Sequence, residues 1–344
     1  MTFLFFKIGV FFLGMLDLRN TIMATLAYYD IFDYPLTLIE LYKYLINPVR
    51  IERNLDGVGI IGLEAVQSDL EKLVSSGKVR DINGYYALTP RARELFEMRM
   101  ERQKIASTKY EKLLRLARWF QATPYLRGMF VSGSLSLDNS ASEGDFDILV
   151  VTSHGRLYTC RFILSGLASI LGVRRRYFES EAPDKFCFNH YLTEKNLLRK
   201  HESLYTAHTY AQLVPIMAHG NITSSFYSQN VWLNKFVYNF RPSVRSPGRS
   251  IRPSRLLRGI AGLSEAVLSG RLGEAIEKKL KNYQQKRISE NPVSYEPGGR
   301  IIWTNDELEF HPHSFEAVVI AKYNKTLEGF GTLVPFIEKD SGLQ

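Results

Sequence analysis

Cysteine is scarce in this sequence, with two residues in 344, and acidic side chains are outnumbered by basic ones. Cys160 and Cys187 are too few for a disulfide framework or a structural zinc site. Both lie in apolar stretches, which predicts buried and unreactive thiols. This scarcity is typical of a protein in a reducing compartment, and we expect a cytoplasmic location.

Apolar runs long enough to predict a membrane-spanning helix are also missing. The most apolar segment, residues 2–16, is short and contains Lys7. It lacks the basic start and the small-residue cleavage site of a secretory signal. We interpret residues 1–19 as an apolar N-terminal extension, either a peripheral helix or sequence upstream of the true start. A membrane is therefore not an expected partner.

The net charge of +9 comes from one part of the chain. Residues 241–287 contain twelve Lys and Arg against three Glu, a net +9 that equals the charge of the whole protein. Such a segment can attract nucleic acid, anionic lipid or a triphosphate. No aromatic residue lies within 241–258, so a stacking platform for single strands is not predicted. The Pro, Gly and Ser content of 241–258 instead predicts an exposed basic linker.

Two aspartates begin an apolar strand in the middle of the chain. Residues 146–152, Phe-Asp-Ile-Leu-Val-Val-Thr, have the composition of a buried strand. Because side chains alternate along a strand, Asp145 and Asp147 point to the same side, with Cβ atoms about 7 Å apart. Carboxylate oxygens bind hard cations, which predicts Mg²⁺ or Mn²⁺ at this pair. A bound cation also offsets the cost of two charges beside apolar residues.

A glycine–serine turn precedes these aspartates and follows another apolar run. Ten residues separate Ser134 from Asp145. Gly133 lets a phosphate approach the main chain, and Ser134 adds a hydroxyl donor. If a short helix begins there, its N–H groups favour a triphosphate. We therefore predict Gly133 and Ser134 as nucleotide-binding residues, and Asp145 and Asp147 as metal-binding and catalytic residues.

This combined pattern resembles the nucleotidyltransferase superfamily that has a DNA polymerase β-like palm. The family motif is an apolar strand ending in Gly-Gly or Gly-Ser, a gap, and two acids separated by one apolar residue. Residues 130–152 match it, and the flanking elements extend the resemblance to about residue 193. The resemblance implies an α/β (α+β) fold with a mixed sheet flanked by helices. It also implies two-metal transfer of a nucleoside monophosphate from a nucleoside triphosphate to a hydroxyl, amine or phosphate.

The third carboxylate that this family usually carries on a later strand is not evident. Candidate strands at 173–178 and 185–192 contain no acid. Asn189 lies where the third acid could fall, and its carbonyl can bind Mg²⁺ although it cannot act as a base. Asn189 is therefore a candidate third ligand. A catalytically inactive nucleotide-binding adaptor or regulator is an alternative function.

A small module is predicted over residues 20–90. Thr37 and Glu40 have the spacing of a capping box, and Asn83-Gly84 is a two-residue hairpin signal. Three helices followed by a hairpin make this module resemble a winged-helix domain. The segment 29–37 is similar to the start of bacterial nucleotidyltransferase-like proteins.

The third helix of this module argues against a DNA-binding role. It carries Glu64, Asp69 and Glu71 against one Lys72. Such a helix repels phosphate, so duplex DNA is not an expected partner. A winged-helix DNA-binding regulator is kept as a further alternative.

The remaining boundaries follow from apolar periodicity. We predict a connecting helix over 91–121, a nucleotidyltransferase core over 122–195, and a mostly helical C-terminal region over 196–344. Helices are expected at 204–217, 226–240 and 256–287, whereas 300–304 and 308–310 are short strands or loop. The acceptor stays open: a small molecule, a protein or an RNA end.

Overall fold

The computed structural model describes residues 17–51, 59–88, 90–176, 179, 181–242, 248–312 and 314–330. Most of the predicted N-terminal extension and part of the basic linker lie outside the described residues. Helices and two sheets form a mixed α/β architecture. Within these ranges, none of the helices combines the length and the apolarity that a membrane crossing requires.

The N-terminal module combines three helices with a small antiparallel sheet whose strand order is β1-β3-β2. Its elements are α1 (Arg19–Asp30), β1 (Leu36–Thr37), α2 (Leu38–Lys43), a 3-10 helix (Pro48–Arg50), α3 (Leu63–Ser75), β2 (Val79–Ile82) and β3 (Tyr85–Leu88). The capping box is confirmed, because the Thr37 hydroxyl accepts from the Glu40 N–H and the Glu40 carboxylate accepts from the Thr37 N–H. Asn83 and Gly84 both have positive φ, as the predicted tight turn requires.

The rest of the described chain contains a long helix, a six-stranded sheet and the helices that flank this sheet. The predicted connecting helix is observed as α4 (Ala92–Ala117) followed by a 3-10 helix (Arg118–Ala122). The later elements are β4 (Leu126–Val131), α5 (Gly133–Ser136), β5 (Phe146–Thr152), α6 (Leu157–Ile170), β6 (Phe186–Thr193), α7 (Leu204–Ala211), β7 (Val214–Ala218), α8 (Ile222–Gln229), a 3-10 helix (Val231–Lys235), α9 (Arg255–Val267), α10 (Gly270–Ser289), a 3-10 helix (Pro292–Tyr295), β8 (Arg300–Trp303), β9 (Glu307–His311) and α11 (Glu316–Gly329).

The large sheet has the order β7-β4-β5-β6-β9-β8, with β5 and β6 parallel and every other neighbouring pair antiparallel. Alternation along β5 divides its side chains between two cores. Phe146, Ile148 and Val150 belong to the core that also contains apolar residues of α4 and α6. Leu149 and Val151 belong to the other core, which is shared with the N-terminal module. The sheet is therefore covered on both faces.

In the C-terminal region, helices account for most of the described elements, but one predicted helix is shorter than expected. The helix predicted over 204–217 ends at Ala211, and Val214–Ala218 pairs with β4 as an edge strand. Pro215 explains the difference, because proline has no N–H for a helix interior and is tolerated on a sheet edge. With β8 and β9, residues beyond 195 supply three of the six strands. The sheet thus extends past the predicted end of the core.

A helix predicted over 226–240 is also shorter than expected. Helix α8 ends at Gln229, and the side chain of the buried Asn230 forms hydrogen bonds with the main chain around this end. Its amide donates to the carbonyls of Leu197 and Phe226, and its oxygen accepts from the Arg199 N–H. The predicted strand over 173–178 is likewise reduced: Arg174 forms an isolated bridge with Phe186, and residues 177 and 178 lie outside the described part.

The described part of the basic linker packs on the core instead of standing free. Ile251 is buried, and its N–H donates to the Ile216 carbonyl at 2.8 Å. Arg249 forms two 2.7 Å hydrogen bonds with the Asp138 carboxylate. Residues 243–247 are not among those described.

Candidate active site

Asp145 and Asp147 lie on the same side of β5, as the alternation predicts. An oxygen of each carboxylate and Sγ of Cys187 all lie within 4.8 Å of one another. Cys187 is the residue of β6 that pairs with Asp147. The start of β5 and the neighbouring part of β6 therefore bring two carboxylates and a thiol into one cluster.

Gly133 packs directly against this cluster. Its φ is +65°, a conformation that side chains of L-residues rarely adopt, and a Cβ atom there would lie 2.6 Å from Asp147 Oδ2. The preceding Ser132 N–H donates to the Asp147 carbonyl at 3.0 Å. Ser134 follows with an exposed side chain. The predicted Gly133–Ser134 turn and the predicted acid pair are thus adjacent, and only glycine fits at the contact.

Helix α4 holds the loop that leads into Asp145. The buried Lys109 donates to the Gly144 carbonyl at 2.7 Å and to Asp184 Oδ1 at 2.9 Å. The Asp184 N–H also donates to the Gly144 carbonyl, at 3.2 Å. Because Lys109 and Asp184 both fix Gly144, the main chain enters β5 in a defined position.

The pKa of Asp147 is strongly perturbed. Burial, and next the negative charge of Asp145, raise the pKa of Asp147 to about 7. Asn189, the candidate third ligand, donates from Nδ2 to Asp147 Oδ1 at 2.8 Å. The structure therefore brings Asn189 to the acid pair, but as a hydrogen-bond donor to a carboxylate. In this arrangement it positions Asp147.

As long as no cation is bound, the thiolate form of Cys187 is disfavoured at this site. Burial, followed by the charges of Asp147 and Asp145, raises the pKa of Cys187 above its usual range. A protonated thiol is a poor metal ligand, because cysteine binds metals as thiolate. The ligands that the cluster offers are then carboxylate oxygens, which suit Mg²⁺ or Mn²⁺. Two carboxylates whose oxygens lie within 4.8 Å of each other fit a divalent cation.

Arg175 is a residue of this site that the sequence did not identify. Its Nη1 donates to Asp145 Oδ2 at 2.6 Å, and its backbone N–H donates to the Phe186 carbonyl. The arginine run at 174–176 was visible in the sequence, but nothing in its spacing relates it to Asp145. The guanidinium supplies part of the charge that a cation would supply.

Replacing Arg175 with Gln is expected to tighten Mn²⁺ binding about 3- to 10-fold, because the cation no longer competes with the guanidinium for Asp145; this corresponds to roughly 1 kcal/mol. Calorimetric titration with Mn²⁺ measures the change. Arg176→Gln, which removes a neighbouring exposed guanidinium, serves as the control. Unchanged or weaker Mn²⁺ binding in Arg175→Gln would show that Arg175 does not compete with the cation.

His190, Glu307 and Glu309 form a second cluster of metal-ligand types, but its acids are already paired. Arg199 forms a short ion pair with Glu307. Glu309 accepts from Arg300 Nε at 2.7 Å and contacts His311 Nδ1 at 3.0 Å. Burial raises the pKa of Glu309, but His190, His311 and Arg300 together hold this pKa well below its usual range. We interpret this cluster as an internal ion-pair network.

His311 ends β9 near the acid pair, whereas His313 is outside the described residues. The positive charge of a protonated His311 lowers the pKa of Asp147, although less than burial raises it. This histidine therefore contributes to the electrostatics of the acid pair.

The chain was compared with known proteins in three ways. Neither the protein-family models, nor the curated proteins, nor the solved structures contain a significant match to it.

Proposed function

We propose that the protein is a nucleotidyltransferase dependent on Mg²⁺ or Mn²⁺. In this proposal it moves a nucleoside monophosphate from a nucleoside triphosphate to an acceptor. One observation carries the proposal: the turn at Gly133 lies directly against Asp147, and Asp147 shares one side of β5 with Asp145. A phosphate-binding turn beside two carboxylates is what metal-assisted transfer of a nucleotidyl group requires.

The proposed fold accompanies the proposed activity. The mixed sheet around β4, β5 and β6 would be a nucleotidyltransferase-type palm, and the N-terminal module would be a winged-helix domain. The strand order of the large sheet, and the three helices with a β1-β3-β2 sheet, support these assignments.

Each residue of the site has a proposed role. Asp145 and Asp147 would hold the cation, which when bound polarises phosphoryl oxygens and offsets the charge of the leaving group. The main chain at Gly133 and the hydroxyl of Ser134 would contact the β- and γ-phosphates. Asn189 keeps Asp147 oriented.

The proposed reaction is a substitution at the α-phosphorus of the triphosphate. An acceptor oxygen or nitrogen forms a bond to this phosphorus, and its proton leaves to solvent water. The bond between the α-phosphorus and the bridging oxygen breaks, and its electron pair leaves with pyrophosphate. Asn189 cannot accept the proton, and the described residues place no third carboxylate at the acid pair. Solvent is therefore the proposed base.

Pyrophosphate release tests the proposal. The full chain is incubated with each of the four ribonucleoside triphosphates, with Mg²⁺ or Mn²⁺, and with a panel of hydroxyl-bearing small molecules, peptides and RNA ends. We expect release with at least one acceptor, and none when EDTA is present. Absence of release from every combination contradicts transfer activity.

A second candidate function is nucleotide binding without transfer. It is favoured by two contacts: Asn189 stands beside Asp147 where a third acid is expected, and Arg175 already pairs with Asp145. Calorimetry with nucleoside triphosphates separates the two functions. Micromolar binding without pyrophosphate release across the acceptor panel would support an adaptor or regulator.

A further inference from the structure

A cleft of about 700 Å³ opens beside the acid pair. Residues of α6, α10 and the first half of β6 line it, together with the arginine run at 174–176. Arg175, Cys187 and Asn189 belong both to the wall of this cleft and to the surroundings of Asp145 and Asp147. The cleft and the acid pair therefore share three residues, although neither aspartate lines the cleft, and Gly133 lies against Asp147 itself.

The wall of the cleft is strongly basic. Five arginines line it, and the described lining residues include no Asp or Glu; we call it the arginine cleft after Arg161, Arg174, Arg175, Arg176 and Arg287. Only Arg175 of these has an ion pair in the described part of the chain, with Asp145. The others leave a concentration of positive charge that an anion would neutralise.

Arg161 lies at the centre of this charge. Its Nη1 donates to the Gln284 side chain at 2.6 Å, and its guanidinium carbon lies 4.8 Å from the centre of the Phe310 ring. Burial lowers the pKa of Arg161, and the charges of Arg174 and Arg287 lower it further. The guanidinium groups of Arg174 and Arg287 therefore each repel that of Arg161.

Aromatic rings also line the cleft. Phe162 and Tyr283 are each 53% exposed, on α6 and α10, and Phe188 and Phe310 lie deeper. Guanidinium groups bind phosphate with paired hydrogen bonds, and both arginine and aromatic rings stack on planar groups. A cleft of this size encloses one drug-sized ligand. The combination suits a molecule with one phosphate and one planar ring.

We propose that the arginine cleft binds the acceptor and that the acceptor is a nucleoside phosphate. This inference rests on the proposed function, because only a transferase needs an acceptor next to the acid pair. The phosphate contacts Arg161, Arg174 and Arg287, and the base packs on the exposed rings. The triphosphate is bound separately, at the Gly133 turn.

Binding of AMP to the full chain in EDTA tests the cleft apart from the cation-dependent site. We expect calorimetry to detect AMP, and to show at least tenfold weaker binding of adenosine or inorganic phosphate alone. The double variant Arg174→Gln/Arg287→Gln, which changes two exposed side chains, should weaken AMP binding at least tenfold. Arg161→Gln should do the same, whereas Arg271→Gln/Lys278→Gln on the outer surface of α10 should change it less than twofold.

Several outcomes would overturn the inference. The first is absence of AMP binding in EDTA, and the second is an AMP affinity of the arginine variants equal to that of the wild type. The third is competition between AMP and ATP for one site when Mn²⁺ is present. Failure of the transferase proposal looks different. In that case AMP still binds to the cleft and the arginine variants still weaken it, but no pyrophosphate is released in the presence of Mg²⁺ or Mn²⁺.

Discussion

Asp147→Asn is expected to abolish nucleotide turnover and, without divalent cations, to make the protein more stable than the wild type at pH 8. Loss of a metal-binding carboxylate removes several kcal/mol of transition-state stabilisation, on the order of a thousandfold in rate. The gain in stability has a separate cause. Ionised Asp147 is held in a half-buried site beside another acid, whereas Asn carries no charge there.

The pH dependence follows from the direction of the shift. The folded protein holds the Asp147 proton up to pH of about 7, while the unfolded chain releases it near 3.8. Between these values the folded state binds more protons, so the wild-type free energy of unfolding falls as pH rises from about 4 to 7, and stays low above. The shift corresponds to a loss on the order of 2–4 kcal/mol. The free energy of unfolding of Asp147→Asn does not fall in this way, because Asn does not titrate.

Urea unfolding of both proteins in EDTA, from pH 4 to pH 8, measures the effect as the difference between the two curves. Groups far from Asp147 titrate alike in both proteins and cancel in this difference. Adding Mn²⁺ at pH 8 should stabilise the wild type and leave Asp147→Asn nearly unchanged. A difference between the curves that does not vary with pH would refute the perturbed titration of Asp147.

Gly133→Ala is expected to lower nucleotide turnover at least a hundredfold while leaving the protein folded. The added Cβ would lie 2.6 Å from Asp147 Oδ2, so either the turn or the carboxylate must shift. A displacement of about 1 Å at a reacting centre costs on the order of a hundredfold in rate. The left-handed backbone conformation costs a further 1–2 kcal/mol, roughly, in stability.

Gly155→Ala is the matched control for this change. Gly155 has a φ of +70°, close to the +65° of Gly133, but a Cβ there meets nothing within 4 Å. Both variants should lose a similar amount of stability to backbone strain. Only Gly133→Ala should lose turnover and Mn²⁺ affinity. Equal turnover in the two variants would mean that the contact between Gly133 and Asp147 has no functional weight.

Local signals in the sequence predicted local structure well. The capping box at Thr37 and the hairpin at Asn83-Gly84 involve residues close in sequence, so their chemistry is complete within one short segment. The shared side of Asp145 and Asp147 follows from the same kind of rule, the alternation of a strand. These features needed no knowledge of the distant chain.

Features that depend on distant segments were missed. Val214–Ala218 is a short apolar run that periodicity cannot assign to helix or strand, and Pro215 was the available signal. Arg175 reaches Asp145 because the adjacent Arg174 forms a bridge with Phe186 at the start of β6. The start of β6 lies beside the start of β5 because these two strands are parallel, and residue spacing alone does not specify this arrangement.

The order in which the strands leave the ribosome has a consequence for synthesis of this protein. Within the large sheet, β4, β5 and β6 are translated first, but β4 obtains its outer neighbour only with residues 214–218, and β6 only with residues 307–311. Until then the nascent chain has two open strand edges, which are templates for pairing with other polypeptides. Chains that terminate before β9 therefore retain an uncovered β6, and we expect them to require chaperones or to aggregate.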